Sequence, residues 1–215
     1  AVKKLTLETL TKEFEQQSPE EIEFYYEGFS PLGVKTSEGL YDVEGGKTGI
    51  WKYYDGIESL RATGNYENDQ AQGEYTAFYP DGSIEWQGNY TDDELSGYYV
   101  DYFLNGNIAN QGGFKNNLKQ GTWHTYYVDG TLKNINFYHR GNLHGTQKNF
   151  TPDQKLAGID YYEHGDLKKY VIYDQGNKEF QTITYTPAKD TVLVTKHFNG
   201  DKCIKSQLLV QVMLD

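Results

Sequence analysis

The sequence predicts an all-β chain, an elongated single antiparallel sheet of stacked 24-residue β-hairpins, on three observations. Gly49, Gly73, Gly97, Gly121 and Gly145 stand 24 residues apart. Aromatic residues keep fixed places behind those glycines, and Asp-Gly or Asn-Gly pairs recur at the middle of the units. A hairpin of this size cannot bury an apolar face alone, so hairpin stacked on hairpin is the arrangement that shares one core.

Residues 1–44 form an acidic N-terminal segment, ten Asp and Glu against four Lys, which reads as a cap with a solvated face. Its "IEFYY" suits a strand and the stretch before it suits a short helix; the residues alone do not choose between them. The repeat array runs from 45 to 185. Two places after the lead glycine stand Trp51, Tyr75, Tyr99 and Trp123, with Gln147 breaking the rule, and five places after it Tyr54, Phe78, Tyr102, Tyr126 and Phe150. Even and odd offsets point to opposite faces of a strand, so each first strand carries aromatics on both.

The turns come next, at Asp55-Gly56, Asp81-Gly82, Asn105-Gly106, Asp129-Gly130 and near Asp153. These pairs tolerate φ > 0 and suit tight hairpins. In the second strands Leu60, Ile84, Ile108, Leu132 and Leu156 share a parity with Tyr66, Tyr90, Phe114, Tyr138 and Tyr162, which predicts one buried face. On it Ile84, Tyr90, Ile108 and Phe114 are expected inside, with Glu85, Gln87 and Asn89 outside. Gly64, Gly88 and Gly112 leave gaps there in which a neighbouring ring can lie against backbone. Residues 186–215 alternate and turn at Asn199-Gly200, a C-terminal capping hairpin whose last strand is expected at Leu208 to Leu214.

Composition agrees with this reading. The chain holds 20 Tyr, 10 Phe, 3 Trp and 23 Gly, a balance suited to pleated, half-buried surfaces joined by turns. Its net charge of −11 repels phosphate backbones and anionic lipid heads, so nucleic acid is excluded as a partner and acidic lipid disfavoured. Cys203 is the lone cysteine, which rules out an intramolecular disulfide and reads as a small hydrophobe. The chain starts at Ala1 without Met, as after removal of a leader, which favours an exported or cell-envelope location over a cytoplasmic one.

The pattern Tyr-x-x-Gly-x-x-x-Gly in "YHRGNLHG" (Tyr138, Gly141, Gly145), with the Gly-x-Trp of "GTW" (Gly121, Trp123), resembles MORN repeats. The Gly-to-turn-to-Tyr unit is most similar to the bacterial MORN-variant repeats of YwqK-like antitoxins. The resemblance covers residues 45–168 and decays toward 185, where Gln147, Asp153-Gln154 and Lys169 replace the expected aromatic, turn glycine and lead glycine. It implies a non-catalytic scaffold and, through the antitoxin label, neutralisation of a toxin partner.

Enzyme signatures are absent: no Gly-rich phosphate loop, no HExxH, no GxSxG and no Cys with an upstream base at a familiar spacing. The expectation is a protein without catalytic residues or cofactor. His139, His144 and His164 fall in the turns between hairpins, which stack side by side; they read as exposed polar loop residues rather than a metal site. The binding residues proposed from sequence are Phe78, Tyr102 and Tyr126, on the parity opposite Trp51, Tyr75, Tyr99 and Trp123, because a recurring ring with no assured core role needs another reason to be there. Their partner is a protein, matched to the acidic sheet by charge. The alternative is a cell-envelope carbohydrate stacked on an aromatic ladder.

Overall fold

The computed structural model describes residues 24–57 and 59–173 in full, and beyond them three strands by their backbone. The chain is all-β, an open antiparallel sheet of hairpin repeats, with no helix among the described residues. It divides into two compact units.

The first unit, residues up to 82 together with 90–93, holds β1 (Phe24–Phe29), β2 (Lys35–Tyr41), β3 (Lys47–Tyr54), β4 (Leu60–Glu67) and β5 (Gln70–Phe78). Each pairs antiparallel with the next. The strand β1 begins inside "IEFYY".

The second unit, residues 83–89 and 94 onward, takes in most of β6 (Ile84–Thr91) and then β7 (Glu94–Tyr102), β8 (Ile108–Lys115), β9 (Leu118–Tyr126) and β10 (Leu132–His139). It continues through β11 (Asn142–Leu143), β12 (Gly145–Phe150), β13 (Leu156–Glu163) and β14 (Asp166–Tyr173) to β15 (Glu179–Thr186), β16 (Thr191–Lys196) and β17 (Ser206–Gln211). From β7 on, each of these strands pairs antiparallel with the one that follows it, except that the two-residue β11 and then β12 both pair with β10. The strands β16 and β17 pair antiparallel; the expected turn at Asn199-Gly200 and the end of the expected last strand at Leu214 lie outside the described residues.

The lead glycines are backbone devices. All five have φ between 63° and 93°, a conformation that costs an L side chain energy, and at Gly121 the register of β9 against β8 jumps by two residues. Within the hairpins Gly49 faces Tyr66, Gly97 faces Phe114, Gly121 faces Tyr138 and Gly145 faces Tyr162, so the repeat is in register with itself.

The turn chemistry differs from expectation. At Asp81-Gly82, Asn105-Gly106 and Asp129-Gly130 only the glycine takes positive φ, and its N–H donates three residues back, Gly82 to Tyr79, Gly106 to Phe103 and Gly130 to Tyr127, whereas Gly56 is not in the left-handed region. This is a type I turn closed by a left-handed glycine. The turns with two successive left-handed residues are those between hairpins: Asn68-Asp69, Asp92-Asp93 and Asn116-Asn117, then Arg140-Gly141 and His164-Gly165. In the first three, Asx side chains offset the strain, since Asp69, Asp93 and Asn117 each accept from a backbone N–H 22 residues earlier, at Lys47, Ala71 and Leu95.

A bulge corrects the single buried face. Tyr102 pairs with Ile108 but Asp101 with Asn110, and the same slip follows Leu60, Leu132 and Leu156. One extra residue reverses the alternation, so these aliphatics lie on the face of Tyr54, Tyr102, Tyr126 and Phe150, opposite Tyr66, Phe114, Tyr138 and Tyr162. Ile84 is 37% exposed, and Tyr90, Ile108 and Phe114 are half-buried. Asn89 is exposed as expected, whereas Glu85 and Gln87 are half-buried.

The densest packing is the aromatic row two places after the lead glycines. Trp51 and Trp123 are 1% and 2% exposed, each flat on a glycine of the preceding strand, Gly39 and Gly112. In the second unit Tyr99, Phe114, Trp123 and Tyr138 continue one ladder, with ring centroids 5.0 to 6.2 Å apart. Lys47 and Lys119 lie over the two indoles at 4.6 and 4.1 Å, adding cation–π attraction, and burial pushes the Lys119 ammonium pKa down.

Candidate functional site

The face opposite that ladder carries the residues singled out from sequence. Phe78 belongs to the first unit, half-buried at a hollow of about 230 Å³ shared with Ser59, Leu60, Pro80, Asp81 and Gly82. Tyr102 and Tyr126 belong to the second unit, both half-buried, at the ends of β7 and β9.

Around those two rings the second unit builds more than periodicity shows. Alternation along β7 places Tyr98 and Val100 on the face of Tyr102; along β9 it places Thr122 and His124 on the face of Tyr126. Between them in β8, Gln111 pairs with Val100 and Gly113 with Tyr98. The Gln111 amide is held at both ends: its Oε1 accepts from the Tyr98 hydroxyl at 2.8 Å and its Nε2 donates to the Tyr126 hydroxyl oxygen at 2.6 Å. His124 stacks on Tyr126 with 6.5 Å between centroids and 27° between planes.

The floor of this arrangement is Val100, 4% exposed, while Tyr98 stands 56% exposed. Burial, with Tyr102 and Tyr126 close by, pushes the Tyr98 hydroxyl pKa up, so the phenol stays a neutral hydrogen-bond donor. Where other repeats place Asn65, Asn89, Phe137 or Tyr161, this one has Gly113. The missing side chain leaves a cavity of about 520 Å³ lined by Tyr98, Gln111, Gly112, Gly113, Thr122 and His124. An open apolar hollow flanked by rings with polar tips suits a docked side chain or ring of a ligand.

Sequence reasoning named Tyr102 and Tyr126 and missed Tyr98, Gln111 and His124. These are not periodic: the position of Tyr98 is Ile50, Glu74, Thr122 and Thr146 in the other repeats. The doubled glycine Gly112-Gly113, where the other repeats have Gly64-Asn65, Gly88-Asn89 and Asn136-Phe137, was the available signal.

Two other clusters gather polar and titratable side chains. In the first unit Glu38 accepts from the Tyr25 and Tyr54 hydroxyls at 2.8 and 2.7 Å and from Lys52 at 3.0 Å, and pairs closely with Lys35. These partners, Lys35 first, hold its carboxyl well below the usual range, which marks a satisfied structural network. The three turn histidines of the second unit do cluster, with ring centroids 6.0 Å apart for His139 and His144 and 5.4 Å for His144 and His164. His144 Nδ1 accepts from the His164 N–H at 3.4 Å, and among the described residues no group of three ligating side chains is arranged to hold a metal ion.

No family model matches the chain, and no curated protein matches it. Among solved structures, a TcdB2–TccC3–Cdc42 complex overlaps 89% of this chain at 9% identity and a TM-score of 0.24. A Photorhabdus luminescens Tc holotoxin pore overlaps 88% at 11% identity and a TM-score of 0.23. The chain spans 14% and 13% of the length of those chains, and overlaps this loose carry no argument about its fold or function.

Proposed function

We propose that the chain is a non-catalytic binding scaffold that holds a basic protein partner on the Tyr98, Tyr102, Gln111, His124 and Tyr126 face of its second unit. The observation that carries this reading is the Gln111 amide fixed between two tyrosine hydroxyls beside the hollow at Gly113. Rings held in place by such bonds lose little entropy on binding, and tyrosines with polar tips are enriched at protein interfaces. The net charge of −11 favours a basic partner by complementarity. The resemblance to MORN-variant repeats adds a narrower version, in which the partner is a toxin that the scaffold neutralises.

A second reading, cell-envelope carbohydrate, has one observation in its favour: the stacked His124 and Tyr126 rings offer a flat apolar surface next to amide and hydroxyl groups, which suits a sugar ring. The test is the double substitution Tyr102→Ser with Tyr126→Ser, followed by thermal melt and by capture of ligands on the immobilised chain. Capture lost with the melt unchanged supports the face; loss of both together makes the rings structural. A charge-steered protein associates more slowly as ionic strength rises, whereas glycan binding survives salt.

A further inference from the structure

The turns between hairpins change in charge along the sequence: Glu67-Asn68-Asp69, Thr91-Asp92-Asp93, Lys115-Asn116-Asn117, then His139-Arg140-Gly141. In the second unit the last two of these enclose a cavity of about 370 Å³ lined by Lys115, Asn116, Leu118, Gln120, His139 and Arg140. No carboxylate lines it. Among the described residues neither Lys115 nor Arg140 forms an ion pair, while Lys35, Lys52, Lys155 and Lys168 do. In a chain of net charge −11, two uncompensated cations around one hollow run against the average surface.

From this we propose a binding site for a small free oxyanion of the phosphate or sulfate class. Arg140 supplies a planar fork of N–H donors, Lys115 an ammonium, and Asn116, Gln120 and His139 further polar donors. The frame is fixed before any ligand arrives. Gln120 Oε1 accepts from the Arg140 N–H at 2.9 Å, which leaves the Gln120 amide hydrogens to donate, and the Gly141 N–H donates to the Lys119 carbonyl at 2.9 Å. On the other side the Asn116 N–H donates to Ser96 Oγ at 3.2 Å and the Asn117 N–H to the Leu95 carbonyl at 3.0 Å.

On one side of the site β7 begins with Glu94, next to Leu95, whose carbonyl accepts from the Asn117 N–H at 3.0 Å. The adjoining turn carries Glu163 and Asp166, with Asp166 held by Lys168 at 3.2 Å, and His144 stands beside His139. The net negative charge opposes anions only over distances that salt screens, about 8–10 Å at ordinary ionic strength, so the local cations decide binding at the hollow. An anionic bilayer brings many charges against the acidic surface at contact distance, where salt screens little, so the ligand is a free anion and not a lipid headgroup. This site is independent of the Tyr98 face.

Inorganic phosphate and sulfate titrated at constant ionic strength, followed by amide NMR of the intact chain, test it. Saturable shifts at residues 115–120 and 139–141 are expected, absent with chloride. Lys115→Gln with Arg140→Gln should weaken binding about tenfold or more, the scale of two lost charge-assisted contacts. Lys155→Gln, at a lysine already paired with Asp153, should leave it unchanged. Linear shifts, equal shifts with chloride, or binding retained in the double variant with its melt unchanged would overturn the site. So would sedimentation with anionic vesicles in the absence of any response to free phosphate.

Discussion

The indole of Trp123 lies flat on the backbone of Gly112, so close that a β-carbon at Gly112 would stand 2.3 Å from the ring. Gly39 meets Trp51 in the same way at 2.4 Å and Gly64 meets Tyr75 at 2.6 Å. The Trp123 Nε1–H donates to the Gly113 carbonyl at 3.0 Å, which fixes the ring where it is. Glycine and aromatic are therefore one unit of the repeat, written on two strands.

Gly112→Ala is expected to cost about 3 kcal/mol, the upper part of the overpacking range, because the indole is 2% exposed and has nowhere to go. Trp123→Ala should cost about 3–5 kcal/mol through the cavity it leaves. Denaturant midpoints of both variants measure this; a Gly112→Ala protein as stable as the parent would refute the close contact.

One repeat shows what happens when the glycine is lost. Asn136 stands where Gly112 stands one repeat earlier, and Gln147 replaces the ring. Gln147 is 1% exposed, its Oε1 accepting from the Phe137 N–H at 2.6 Å and its Nε2 donating to the His144 carbonyl at 3.0 Å. Gln147→Ala leaves those backbone groups unpaired and should cost about 1–3 kcal/mol. Gln147→Trp alone should destabilise against the Asn136 side chain, and Asn136→Gly in the same chain should recover most of the loss, a coupling that a double-mutant cycle reads directly.

The glycine spacing, the ring-on-glycine packing at Gly64 and Gly112 and the all-β hairpin class were legible in the sequence because each is periodic and backbone geometry demands it. The bulge after Leu60, Ile108 and Leu132 was not, since an extra residue leaves the spacing intact while reversing the face. Nor was the assignment of turn types, because Asp-Gly suits more than one turn and the Asx pairs at 68–69, 92–93 and 116–117 carry no glycine. Of the candidate site, the recurring Tyr102 and Tyr126 were visible; Tyr98, Gln111 and His124 belong to one repeat alone and only the fold brings them together.

Acid should weaken the first unit through Glu38. Its carboxyl pKa is depressed in the folded chain by Lys35, then Tyr54, Lys52 and Tyr25, so its contribution is present above the unfolded value, about 4.3, and is lost as pH falls below it toward the folded one. Tyr54, half-buried and donating to Glu38, has its pKa pushed up to about 12, so its share is present below the ordinary tyrosine value, about 10, and is lost as pH rises through the folded one. Glu38→Gln should lower stability at pH 7 and flatten its slope between pH 5 and about 3. Parallel pH curves for the two proteins would show that the network contributes nothing.

The hollow at Gly113 gives the sharpest test of the binding face. Gly113→Asn installs a residue that the same repeat position already holds at Asn65 and Asn89, so the backbone is known to carry it. Gly113 is not in the left-handed region, and the nearest atom to an added β-carbon is the Gln120 carbonyl oxygen at 3.2 Å, which needs to give by only a few tenths of an ångström. Stability should change by less than about 1 kcal/mol, helped by the lower chain entropy of a non-glycine residue. The asparagine side chain, however, fills the cavity between Tyr98 and Thr122. Capture of the partner should therefore fall at least tenfold, about 1.4 kcal/mol of binding, with the melting curve unmoved. Capture at the parent level by a fully folded Gly113→Asn chain would mean that the partner does not use the hollow, and the proposed face would have to be abandoned.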